Sequence, residues 1–70
     1  HTLRAKVLAF IASRGTYGAI TQEIELALDM PGNTVRPRLV ELREHGAIED
    51  AGFPRKTHSG RKAQVWRLKP

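Results

Sequence analysis

Arg55, Lys56, Arg61 and Lys62 place four cations within the eight residues RKTHSGRK. No aspartate or glutamate occurs from Ala51 to Pro70, while Arg67 and Lys69 add to the positive charge there. A second basic group, Arg36, Arg38 and Arg43, is spread through NTVRPRLVELREHG, from Asn33 to Gly46. By contrast, residues 21–30 hold Glu23, Glu25 and Asp29 and no base. The whole chain carries a formal charge of +5 and a pI near 10.5. Cations gathered in two places suit a polyanion, whose phosphates they would neutralise. The plain alternative is a solvated basic surface.

The residues that commonly do covalent or acid–base chemistry are not arranged for it. His1, His45 and His58 are scattered, with no carboxylate or hydroxyl at a recognisable spacing. Ser59-Gly60-Arg61 reads as a hairpin turn more simply than as a nucleophile. The sequence has no glycine-rich phosphate loop, no metal-ligand pair and no cysteine. Neither an enzyme nor a cofactor, metal or small-molecule ligand is expected.

A chain of 70 residues buries about 60% of its unfolded surface, so one domain with a thin core is expected over 1–70. No apolar run approaches the roughly 18 residues of a membrane span, and no signal-peptide pattern is present. A cytoplasmic setting, without a membrane partner, is the expectation. His1 in place of Met fits a tag remnant or an excised domain.

Periodicity supplies the elements that must position the cations. Leu3, Val7, Phe10 and Ile11 share one face of a helix over about 2–14, with Thr2 as its N-cap. Gly15 to Gly18 form a loop, and Ala19-Ile20 a very short strand. Thr21 is expected to cap a second helix over about 21–29, with Ile24, Ala27 and Leu28 inward and acids outward. Asp29 to Gly32 break the pattern, and Asn33 is expected to cap a third helix over about 33–45.

In this third helix Val35, Leu39 and Leu42 form the inward stripe. Thr34, Pro37, Glu41 and Glu44 point outward with Val40, and Arg36 and Arg38 flank the stripe on opposite sides. Pro37 calls for a tight first turn or a start nearer Arg36. Gly46 fits the C′ position. A strand over Ala47 to Asp50, a turn at Gly52, a basic loop over 53–62 and a strand over Ala63 to Leu68 complete a hairpin over about 47–68. Trp66 and Leu68 are expected to share its inner face.

The order helix, short strand, helix, turn, helix, strand, basic loop, strand resembles a winged helix-turn-helix. Thr21 to Ile48 is similar to the core of MarR-like and ArsR-like regulators. Asn33-Thr34-x-x-Pro37-Arg38-x-x-Glu41-Leu42 and Arg55-x-Thr57-x-Ser59-Gly60-Arg61-x-Ala63-x-Val65-Trp66 resemble small winged-helix domains of phage and actinobacterial proteins. Pro37 departs from the polar residue usual near that position in the MarR pattern. The resemblance implies a mainly α fold of three helices with a two- to three-stranded antiparallel wing. It implies that Asn33 to Glu44 enter a DNA major groove and that Arg55 to Lys62 run beside the minor groove or backbone.

The side-chain chemistry agrees. Asn33 suits adenine, Arg36 or Arg38 guanine, and Thr34 a phosphate or thymine methyl; each bidentate pair discriminates by about 1–3 kcal/mol. Pro37 lies among them, and His58 belongs with Arg55, Lys56, Arg61 and Lys62 on the wing. Arg43 reads as structural, Trp66 as core, and Glu41 as a partner of Arg38 or of cytosine N4. Five to seven neutralised phosphates would give a slope of log affinity against log salt of about −4.5 to −6.

Sequence-specific binding of double-stranded DNA is therefore expected, within a phage or bacterial regulatory, replication or packaging protein. A homodimer or further domains of a longer chain would raise its affinity. The alternative is a protein-interaction or assembly module whose basic wing meets an acidic partner. RNA is disfavoured because the strands offer no exposed aromatic pair.

Overall fold

A computed structural model describes residues 2–70; His1 lies outside the described residues. Its elements are α1 (Leu3–Ser13), a 3-10 turn (Gly15–Tyr17), α2 (Thr21–Leu28), α3 (Gly32–Glu44), β1 (Ile48–Lys56) and β2 (Lys62–Leu68). Three helices thus pack with a two-stranded antiparallel sheet. The core joins Val7 and Ile11 of α1, Ile24 of α2, and Val35, Leu39 and Leu42 of α3 to Met30, Ile48 and Trp66. None of the described helices is long and apolar enough to cross a membrane.

Capping explains the helix limits and corrects two expectations. Thr2 caps α1 as its sequence position suggests, its hydroxyl accepting from Ala5 N–H at 3.1 Å. Thr21, in contrast, is the first residue of α2 and not its cap, which is Ile20. Isoleucine has no side-chain acceptor, so the Glu23 carboxylate makes half of a capping box by accepting from Ile20 N–H at 3.2 Å. Ala27 is exposed rather than inward. The buried line of α2 runs through Ile20 and Ile24 toward Leu28, and Ala27 falls about 100° short of Leu28 around the helix.

Asn33 is likewise the second residue of α3, not its N-cap, which is Pro31. The first turn is tight: Thr34 and Val35 both donate to Pro31 O, at 2.9 and 3.1 Å. Pro37 therefore lies inside the helix, with no N–H to offer the Asn33 carbonyl. The helix ends in a Schellman motif. Gly46 N–H reaches Arg43 O at 3.0 Å, and Ala47 N–H reaches Leu42 O at 2.9 Å. Gly46 has φ 75°, the left-handed geometry that this ending requires.

Ala19 forms an antiparallel bridge with Trp66, through two N–H to O bonds of 2.8 Å. Gly18 permits this approach. At φ 73°, a Cβ there would stand 2.6 Å from both Trp66 O and Val65 Cγ1. Val65 is consequently buried alongside Trp66, on the opposite face of the strand. Leu68 does not share Trp66's burial: it is 45% exposed, at the end of the ladder opposite Ile48.

Gly52 does not begin the reversal between the strands. β1 continues past it through a bulge in which Ala51, Gly52 and Phe53 intervene between the pairs Asp50↔Trp66 and Pro54↔Gln64. Asp50 fixes the bulge, accepting from Gly52 N–H and from Gln64 Nε2, each at 2.7 Å. The reversal is shorter than the expected basic loop. Thr57 N–H donates to Arg61 O at 2.7 Å, and Gly60 N–H to Thr57 O at 2.9 Å.

Candidate functional site

The buried stripe of α3 leaves Asn33, Arg36, Pro37, Val40, Arg43 and Glu44 exposed. Thr34 is half-buried. The side bearing Arg36 and Val40 faces β2: one shallow groove is lined by Thr21, Arg36, Leu39, Val40, Gln64 and Trp66. Alternation along β2 puts Lys62, Gln64 and Trp66 on one face of the strand. The cross-strand partners of Gln64 and Lys62 are Pro54 and Lys56. The sheet face that begins in the core under Trp66 thus continues outward through Gln64 to two lysines.

Lys56 and Lys62 are directly opposite one another in the ladder, and both are exposed. Like charges so placed are destabilising. At the base of the same hairpin the charges are complementary, with Glu49 opposite Arg67 and an Arg67 Nη2 to Glu49 Oε2 distance of 2.7 Å. Arg61 adds an exposed cation in the reversal itself. Among the described residues, Arg36, Lys56, Arg61 and Lys62 have no carboxylate within ion-pair distance.

Other expected contacts are engaged inside the fold. Arg38 leans to the opposite side of α3 from Arg36, into a groove with Thr2, Leu3, Arg4 and Glu41. Its Nε lies 2.8 Å from Glu41 Oε1. The spacing of three residues makes this a helix-surface pair between half-buried residues, worth a few tenths of a kcal/mol. Arg38 is therefore not presented with Arg36 toward β2.

Arg55 is engaged more extensively still. Nη1 donates to Tyr17 O at 2.9 Å, while Nη2 donates to Gly18 O at 3.2 Å and to Glu23 Oε1 at 2.5 Å. Its guanidinium lies 3.9 Å from the Tyr17 ring centroid. Both terminal nitrogens are thus engaged, and the side chain, 18% exposed, holds the hairpin to the start of α2. His58 is tied to α2 through its backbone N–H, which donates to Gln22 Oε1 at 3.0 Å. Its exposed side chain lines a groove with Gln22, Leu26 and Thr57.

Thus the expected site divides. Asn33, Arg36, Pro37, Lys56, Arg61 and Lys62 remain outward, Thr34 partly so, while Arg38 and Arg55 serve internal contacts. Gln64 and Thr21 join the site unforeseen, since alternation shows which strand face Gln64 occupies but not that α3 lies beside it. Among the described residues, no cluster of three or more His, Cys, Asp or Glu residues could hold a metal ion. The chain matches no family model and no curated protein sequence.

Proposed function

We propose that the chain is a winged helix-turn-helix domain that binds double-stranded DNA, with α3 in the major groove and the β1–β2 hairpin as the wing. One observation supports the reading: exposed cations stand on α3 and on the hairpin tip, the groove of Arg36, Val40, Gln64 and Trp66 leads from the helix onto the hairpin, and the tip sets Lys56 against Lys62. A repulsive cross-strand pair costs folding stability unless an anion is brought between its members. DNA phosphates are anions at regular spacing, and an exposed helix with Arg36, Asn33 and Val40 is the size that a major groove admits. Lys56, Arg61 and Lys62 act on phosphate, where they hold any sequence. Arg36 and Asn33 meet base edges, and Val40 offers an apolar surface to a thymine methyl.

Selection from a random duplex library at two salt concentrations tests this reading. An enriched sequence is expected for the wild type, and Arg36→Ala should flatten preference at one base step by about 1–3 kcal/mol while leaving the others. Failure of the wild type to retard duplex DNA at low salt would instead favour a protein-interaction module with an acidic partner.

A further inference from the structure

Glu23 is an acid close to the proposed phosphate-binding tip, and by charge alone it should weaken attraction to DNA. Its surroundings indicate the reverse. Its Oε1 accepts from Arg55 Nη2 at 2.5 Å, from Arg14 Nη2 at 3.1 Å and from Ile20 N–H at 3.2 Å. Arg14 also donates through Nε to Gly18 O at 3.1 Å, and its guanidinium lies 4.8 Å from the Tyr17 ring centroid. The end of α1, the first turn of α2 and the outgoing strand of the hairpin therefore meet at one carboxylate, with Tyr17 of the 3-10 turn against both arginines.

The bulge makes such an anchor necessary. Three intervening residues, Ala51 to Phe53, interrupt the ladder between the core-packed base of the hairpin and its tip, and a bulge bends and twists the strand that carries it. Arg55 lies beyond this interruption and next to Lys56. We infer that Glu23 and Arg55 are positioning residues, which hold the hairpin tip at a fixed offset from α3 so that its lysines need not be ordered when DNA binds. This inference rests on the DNA-binding reading, and it makes an acidic residue favourable for affinity to a polyanion. Ordering a mobile segment at binding subtracts from affinity, and rigidifying it beforehand restores that loss.

Glu23→Gln and Arg55→Lys test it in the full 70-residue chain. Gln retains the oxygen that accepts from Ile20 but loses the ion pairs. Lys retains the charge of Arg55 but lacks the planar fork whose separate terminal nitrogens reach Tyr17 O on one side and Gly18 O and Glu23 on the other. Affinity for a random-sequence duplex would be measured by fluorescence anisotropy across a salt series, well below the unfolding temperature. Amide hydrogen exchange of the free proteins would be read at Thr57 and Gly60, with α3 as the internal reference.

Each variant is expected to bind about tenfold more weakly, with the salt slope of the wild type retained. Exchange at Thr57 and Gly60 should accelerate while that of α3 does not. If Arg55 contacted phosphate directly, Arg55→Lys would keep its affinity and Arg55→Ala would make the slope shallower by about 0.9; that pattern overturns the inference. So does a Glu23→Gln variant that binds as well as the wild type or better. Should Glu23→Gln fail to fold, Arg55→Lys carries the same comparison. A wild type that binds no duplex removes the DNA-binding reading and the inference with it, whereas a binding wild type with unimpaired variants removes the inference alone.

Discussion

At the scale of single residues, position in the fold decides what a cation does. Arg55 and Lys56 are neighbours of like charge, yet Arg55 turns to Glu23 and the Tyr17 carbonyl while Lys56 stands exposed opposite Lys62. The presence of a basic cluster was legible from spacing alone. Its internal division was not, because the partner of Arg55 lies 32 positions away and no local pattern marks it. The Lys56–Lys62 pair yields a prediction with two opposite signs. Lys62→Glu should convert a repulsive cross-strand pair into an attractive one and raise folding stability by about 0.2–1 kcal/mol. The same substitution should weaken binding to every duplex sequence alike. Chemical denaturation and anisotropy on the same samples check both, and a Lys62→Glu protein that binds duplex as tightly as the wild type would remove the tip from the proposed interface.

At the scale of elements, what sequence order could and could not show depends on whether the deciding contact is local. The end of α3 was readable because a glycine just past the last periodic residue satisfies the helix's own carbonyls. The start was less so: Asn33 is a good capping type, but Pro31 O accepts from Thr34 and Val35 and sets the cap two residues earlier. Gly52 was ambiguous because turns and bulges recruit the same residue, and the Asp50 bond to Gln64, across the sheet, selects the bulge. Gly18 and Gly46 separate local from tertiary demands. Both have positive φ, but a Cβ on Gly46 meets nothing within 4 Å, whereas one on Gly18 meets the Trp66 carbonyl at 2.6 Å. Gly46→Ala should therefore cost about 1–2 kcal/mol, the strain of the left-handed region. Gly18→Ala adds displacement of the Ala19–Trp66 bridge and should cost at least about 3 kcal/mol. Equal losses for the two variants in urea titrations would show that the bridge contributes little.

At the scale of the whole molecule, three helices and a hairpin bury a thin core and leave a basic surface shared between one helix and the hairpin tip. The layout of helices and hairpin was legible from periodicity and turn residues. The angle at which the tip meets the helices was not, since it is set by the bulge and by the meeting of Arg14, Tyr17 and Arg55 around Glu23. That geometry also changes the expected electrostatics. With Arg38 paired to Glu41 and Arg55 to Glu23, four cations at the proposed interface have no carboxylate within ion-pair distance among the described residues: Arg36, Lys56, Arg61 and Lys62. The most direct measurement is the affinity of the chain for a random-sequence duplex as a function of salt. Binding is expected at about 50 mM salt, with log affinity falling against log salt at a slope of about −3.6. A slope near zero, or no binding at low salt, would contradict the DNA-binding reading.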